Sequence, residues 1–197
     1  DPEATGVPLT IREAVARFIE KNTSPKLNYV GRIREWSNET RKKHAMDITV
    51  AATGHRPRDG KPCFTISDRG EGQTPLRIPE TILSLDRENK QKIPFVQGKF
   101  NMGGTGALRF CGKKKMQLVI SRRDPTLLKG NSSDPSDKNW GFTVVRREDP
   151  AGRGRNSVYT YLAPIGAESN PRRGNILNFF SDKLFIFPEK KDPYARS

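Results

Sequence analysis

Two glycine-bearing segments hold the residue types that could do chemistry. The first reads Ile66-Ser67-Asp68-Arg69-Gly70-Glu71-Gly72-Gln73-Thr74-Pro75. A β-type run ends here and sets a carboxylate, Asp68, at its lip. Gly70 and Gly72, at alternate positions, let the backbone turn tightly and approach a ligand closely. A fixed carboxylate beside glycines is suited to accept a hydrogen bond from an exocyclic amine. The second segment reads Val96-Gln97-Gly98-Lys99-Phe100-Asn101-Met102-Gly103-Gly104-Thr105-Gly106-Ala107-Leu108. Its four glycines, Gly98, Gly103, Gly104 and Gly106, precede an apolar helical stretch. Successive backbone N–H groups can then point at one anion, with the positive end of a helix behind them. Lys99 can bring a cation near phosphates. The ordinary alternatives are an Asp-Gly turn for the first segment and a flexible surface loop for the second. Apolar residues flank the second on both sides, where a linker would be more polar.

Several nucleotide signatures are absent. No G-x-x-x-x-G-K-[ST] occurs, because Gly98-Lys99 is followed by Phe100. A Rossmann loop follows its strand directly, whereas the polar stretch 86–92 intervenes here. The kinase pair H-R-D and D-F-G is missing. Cys63 and Cys111 each lie in an apolar stretch and read as buried thiols of a reducing compartment. His44 and His55 share no metal-ligand spacing with them, so no zinc site is expected.

The elements that must position these residues follow from periodicity. Thr10-Ile11-Arg12-Glu13 is a capping box. Ile11, Ala14, Val15, Phe18 and Ile19 continue at helical spacing, which predicts a helix over 10–21. A second, more polar helix is expected over about 32–45. Residues 47–53 and 61–67 are β-type runs around an Asp59-Gly60 turn, hence a hairpin. Residues 79–85 suit a short helix with Pro79 near its first position. A polar loop is expected over 86–94, a glycine loop to 106, and the helix it feeds over 107–111. Strands are expected over 116–122, 140–147 and 157–162, with a polar loop at 124–139. The apolar tail 176–187 fits helix or strand. This order predicts an α+β chain: one mostly antiparallel sheet with helices on one face.

A strand ending in D-x-G-x-G, a short helix, and then a glycine-rich lid opening a helix together resemble the GHKL family of ATP-binding domains. That family includes DNA gyrase B subunits, MutL mismatch-repair proteins, histidine kinases and the ninety-kilodalton heat-shock chaperones. The stretch 98–106 is similar to the lid of the chaperone branch, and the resemblance covers 48–121 best. It implies the Bergerat fold, a two-layer sandwich of a mostly antiparallel mixed sheet with helices on one face. It implies that Asp68 accepts from the adenine amino group and that Gly70 and Gly72 shape the adenine pocket. Gly98 and the run Gly103, Gly104, Thr105 and Gly106 would wrap the triphosphate with backbone N–H groups, Lys99 and Thr105 would contact the phosphates, and Phe100, Asn101 and Met102 would be nucleotide-binding as part of the same lid. Mg²⁺ would accompany ATP to neutralise the phosphate oxygens. The family also carries a helix with a Glu that activates water and an Asn that holds Mg²⁺. Glu35 and Asn38, three apart on the second expected helix, are the nearest candidates. Arg41-Lys42-Lys43 then departs from the family's acidic continuation. The alternative is that this motif lies upstream of Asp1, with the capped helix at Thr10 an insertion. No Gly-Thr strand of the family kind is found before Ser197. The resemblance therefore implies truncation at one or both ends, and a fragment that binds ATP poorly and hydrolyses none. The expected organisation is one domain: a helical part or insertion at 1–46, a nucleotide-binding core at 47–123, and remaining sheet at 140–197. A divergent prokaryotic member acting as an ATP-driven switch or homodimer in a larger, ATP-hydrolysing protein is the implied setting.

Composition bounds the partners. The 197 residues carry a net charge of +14, which favours anionic partners such as DNA or another polyanion. The basic residues fall in short clusters without interleaved aromatics, unlike a single-strand stacking platform. No apolar run approaches the ~20 residues that span a bilayer, so no membrane partner and a cytoplasmic location are expected. Two readings stand beside the ATP switch: a nucleic-acid-binding module without nucleotide chemistry, and a degenerate GHKL scaffold kept for protein contacts.

Overall fold

The structure, a computed structural model, describes residues 6–20, 31–53, 63–84, 102–128, 134–149, 156–163 and 176–184. The chain divides into two units. One comprises Asp1–Gly70 and Thr81–Lys113, the other Glu71–Glu80 and Lys114–Ser197.

In the first unit, Thr10 opens helix α1, Ile11–Ala14. Its Oγ1 accepts from the Glu13 N–H at 3.1 Å. Glu13 Oε2 reaches back to the Leu9 N–H at 2.9 Å, one residue before the usual capping-box partner. The helix widens into a π-turn, Val15–Glu20, which carries the buried Val15. Glu20 then accepts from the Gly31 N–H and the Trp36 indole, both at 2.8 Å. Gly31 sits at φ +65, and a Cβ there would lie 2.0 Å from the Arg12 carbonyl oxygen. Only glycine allows that approach.

The helix expected over 32–45 is interrupted. A 3₁₀ turn, Ile33–Glu35, ends at an extended Trp36. Ser37 starts helix α2, Asn38–Ala45, by accepting the Thr40 N–H at 3.1 Å. A serine capping a new helix competes with continuation of the old one. Strands β1, Ile48–Thr53, and β2, Cys63–Asp68, pair antiparallel, from Ile48 opposite Asp68 to Thr53 opposite Cys63. This is the expected hairpin; its loop lies outside the described residues. Helix α3 runs Met102–Ala107, and a 3₁₀ turn, Leu108–Phe110, comes directly after it with Leu108 wholly buried.

In the second unit, β3 (Met116–Ser121), β4 (Trp140–Glu148), β5 (Val158–Tyr161) and β6 (Leu177–Phe179) form a sheet in which β4 pairs with all three others, always antiparallel. The ambiguous tail is thus strand where it is described. Alternate β4 residues Gly141, Thr143 and Val145 are buried, and the Thr143 hydroxyl donates to the Leu162 carbonyl at 2.6 Å. The 3₁₀ turn Pro75–Glu80 lies against β4: a Cβ on Gly141 would meet Ile78 Cδ1 at 2.7 Å and Pro75 Cα at 3.0 Å. That turn replaces the helix expected over 79–85. It begins at Pro75, whose fixed φ suits a first helical position, and Pro79 falls inside it. Two further 3₁₀ turns, Pro125–Leu127 and Pro135–Lys138, punctuate the expected 124–139 loop; Asp124 and Asp134 cap them.

The chain is therefore α+β, with antiparallel sheets and a few short helices. It differs from the single mixed sheet expected. The described strands fall in two sheets, and no parallel pair occurs among them. Period-2 patterning marks a strand but does not choose its partner.

Candidate functional site

Asp68 is the last residue of β2, opposite Ile48. Side chains alternate along a strand and cross-strand partners share a face. One face of the hairpin thus carries Asp68, Ile66 and Phe64 with Ile48, Val50 and Ala52. The other carries Thr65 and Ser67 with Thr49 and Ala51. The apolar face is the open one: Ile48 and Val50 are 65% exposed, Phe64 68% and Ile66 74%. Thr49, Ala51, Thr65 and Ser67 are half-buried. An uncovered apolar patch of this kind marks a surface that meets something else.

At the end of that patch the Asp68 carboxylate is held by its own loop. Oδ1 accepts the Gly70 N–H at 2.8 Å, an Asx-type turn. A Cβ on Gly70 would stand 2.7 Å from that oxygen, so a side chain there would push the carboxylate aside. Among the described residues Oδ2 has no hydrogen-bond partner. The result is an oriented acceptor at the rim of an aliphatic surface. It can accept an N–H donor from a ligand.

Gly72 belongs to the second unit. It sits at φ +63, and a Cβ would fall 1.7 Å from the Arg122 carbonyl oxygen. Each glycine of D-x-G-x-G therefore has its own reason: one clears a carboxylate, the other clears a backbone. Sequence reasoning gave both glycines a turn and missed these partners, which lie far along the chain in the case of Gly72.

The glycine run is only partly described. Gly98, Lys99, Phe100 and Asn101 lie outside the described residues. Met102 opens α3, and Gly103, Gly104, Thr105 and Gly106 lie within it, so the expected loop is helix and the helix expected over 107–111 starts five residues early. A Cβ on Gly103, Gly104 or Gly106 would meet nothing within 4 Å. Glycine in a helix interior costs ~1 kcal/mol against alanine, and nothing in this helix requires it. The buried Leu108 immediately after α3 anchors the segment. No hydrogen bond or ion pair among the described residues joins Asp68 to α3.

Glu35 and Asn38 are not brought onto one helical face. Glu35 ends the 3₁₀ turn, and its Oε1 accepts from Arg32 at 2.9 Å; that bond raises the Arg32 pKa. Asn38 is the first residue of α2 and exposed, with the extended Trp36 and the capping Ser37 between them. The i, i+3 expectation fails because the helix that carried it breaks. Among the described residues no group of three or more His, Cys, Asp or Glu could hold a metal ion. The cysteines also differ from expectation: neither forms a disulfide, but Cys63 is exposed and Cys111 half-buried, its thiol donating to the Ala107 carbonyl at 3.3 Å. Cys63 stands at the loop end of β2, where the strand pattern no longer enforces burial.

No described helix is long and apolar enough to cross a membrane. Compared with known proteins, the chain matches no family model, no curated protein and no solved structure.

Proposed function

We propose that the chain is an ATP-binding domain of the GHKL type, with the Bergerat fold. In this reading it binds Mg-ATP and serves as a conformational or dimerisation switch within a larger protein. The observation that carries it is the Asp68 carboxylate, oriented by Gly70 at the rim of an open aliphatic face. An adenine ring needs both parts: apolar contact for its faces and an acceptor for its amino group. The glycine run supplies backbone N–H groups for the triphosphate, and Mg²⁺ enters on the phosphates. A charge pattern supports this assignment. From Asn89 to Arg123 the chain has no Asp or Glu, while Lys90, Lys92, Lys99, Arg109, Lys113, Lys114, Lys115, Arg122 and Arg123 fall within it. A long acid-free basic run around the glycines suits a polyphosphate ligand.

Calorimetric titration of Mg-ATP into wild-type and Asp68→Ala chains tests the proposal. A hydrogen bond to a charged group contributes ~1.5–3 kcal/mol, so the substitution weakens binding at least tenfold. Equal affinity in the two chains would refute the site.

A second reading, a nucleic-acid-binding module, is favoured by α2. It has no buried residue and presents Arg41, Lys42 and Lys43, all exposed. Here DNA binding falls steeply with salt and does not respond to Asp68→Ala. Binding of neither ATP nor DNA leaves the scaffold reading.

A further inference from the structure

Helix α2 is held in place without burying anything apolar. Its sequence, Asn38-Glu39-Thr40-Arg41-Lys42-Lys43-His44-Ala45, has Ala45 as its one apolar residue, and no residue of it is buried. A helix that is polar all round has no hydrophobic face to dock it, so other contacts must. Ser37 caps its first turn. The Trp36 indole donates to Glu20 Oε1 at 2.8 Å, and the His44 ring stands 5.1 Å from the Trp36 ring. The Arg41 guanidinium donates from Nη2 to the Arg34 carbonyl at 2.6 Å. Thr40 and His44, one turn apart, are the half-buried residues of the helix. At ~100° per residue Lys42 lies opposite both, with Lys43 beside it.

We propose that this outer face of α2 is a contact for the phosphate backbone of duplex DNA, with Lys42 and Lys43 as its cations. Glu39 is the only acid of the helix, and Arg41, Lys42 and Lys43 are in no ion pair among the described residues. Other basic clusters are met by carboxylates: Arg123 by Glu71, Arg146 by Glu148, Arg147 by Asp149. A lysine is a compact point charge that suits a phosphate, and phosphate contacts carry no sequence information. Duplex rather than single strand follows from the aromatics. Trp36 and His44 pack against each other on the pinned side, so the outer face offers no ring on which an unpaired base could stack. The helix and the contacts that pin it belong to one unit. The proposal gives the nucleic-acid reading its surface and is independent of Mg-ATP binding.

The experiment titrates a fluorescent mixed-sequence DNA duplex with wild type, Lys42→Gln/Lys43→Gln, Lys42→Arg/Lys43→Arg and an equal-charge control, Lys138→Gln/Lys183→Gln, over a salt series. Lys138 and Lys183 are exposed and stand in the other unit. Each phosphate contact adds about 0.9 to the slope of log K against log salt. The α2 glutamine variant should therefore lose about 1.8 of slope, and roughly eightfold in affinity per lysine near 0.1 M. The arginine variant, which keeps the charge, should bind within about twofold of wild type, and the control should keep the wild-type slope. Circular dichroism should show equal helix content throughout. Absence of DNA binding by wild type would overturn the proposal. So would equal losses in the two glutamine variants, because diffuse charge would then suffice. Displacement of the duplex by polyglutamate at equal charge concentration would overturn it in favour of an acidic protein surface. Asp68→Ala and Mg-ATP titration keep the two readings apart. DNA binding that depends on Lys42 and Lys43, with no ATP binding, removes only the nucleotide site; ATP binding without DNA binding removes only this one.

Discussion

Replacing Gly103, Gly104 and Gly106 by alanine pits two consequences of one feature against each other. In α3 a Cβ at each position meets nothing within 4 Å, so there is no steric term. Each alanine favours helix by ~1 kcal/mol, partly by restricting the unfolded chain. The triple variant should thus raise the melting temperature, or leave it unchanged if opening of this short segment is local. The proposed nucleotide complex needs successive N–H groups turned toward one anion, in conformations that glycine allows and alanine resists. If α3 unwinds to wrap phosphates, the energy that alanine adds to the helix opposes binding. That is about fivefold in Kd per site, and about a hundredfold for three sites. Circular dichroism melting and Mg-ATP calorimetry on the same samples read both quantities. A variant that is as stable as wild type or more so and binds ATP equally well would refute the reasoning, because the glycines would then serve neither state. A lower melting temperature would refute its first half.

Other expectations test the fold around the site. Gly141→Ala drives a Cβ against Pro75 Cα at 3.0 Å and Ile78 Cδ1 at 2.7 Å, and should cost ~1–3 kcal/mol in urea unfolding as an overpacked site. Thr10→Ala removes the acceptor of the Glu13 N–H and should cost ~1 kcal/mol, with Thr10→Ser restoring most of it. Asp149 is pulled from 3.8 to about 2, chiefly by its hydrogen bond from Lys115, then by Ser157 and the charge of Arg147. A carboxylate depressed on folding adds stability above its unfolded pKa, and that stability is lost as pH falls from about 3.8 to about 2. Asp149→Asn should therefore flatten the melting-temperature profile across that window. An identical slope in the variant would count against the Lys115–Asp149 pair.

The features legible in the sequence were local. The β1–β2 hairpin, β3, β4, β5 and the Thr10 cap depend on alternation or on a side chain reaching three residues ahead, and each appears within a residue or two of its expected place. Ser37 carried an equally local capping signal, but the helical pattern around it hid the break at Trp36, whose indole is drawn to Glu20. The glycine run reads as loop by propensity. Its helix is set by the buried Leu108 at its C-terminal end, and propensity is a weak prior against such an anchor. Partner choice among strands was not legible, since β4 gathers β3, β5 and β6 across long intervals of chain. The candidate site divides in the same way. The Asx turn of Asp68 with Gly70 is local and readable, whereas the contacts of Glu71, Gly72 and Gln73 with 121–124 join segments some fifty residues apart.

The open hairpin face also bears on colloidal behaviour. Ile48, Val50, Phe64 and Ile66 form an adhesive patch on a two-stranded ribbon whose outer edges are unpaired among the described strands, the combination by which separate molecules stick edge to edge. Mutual repulsion between copies carrying +14 charges holds them apart. Salt shortens the reach of that repulsion to about 10 Å at 0.1 M and about 3 Å at 1 M, while leaving the adhesion intact. The bare chain is thus expected to be most dispersed in dilute buffer and to self-associate as ionic strength rises, which light scattering across a salt series would check. A ligand or partner seated on the hairpin face would remove that tendency without altering the charge.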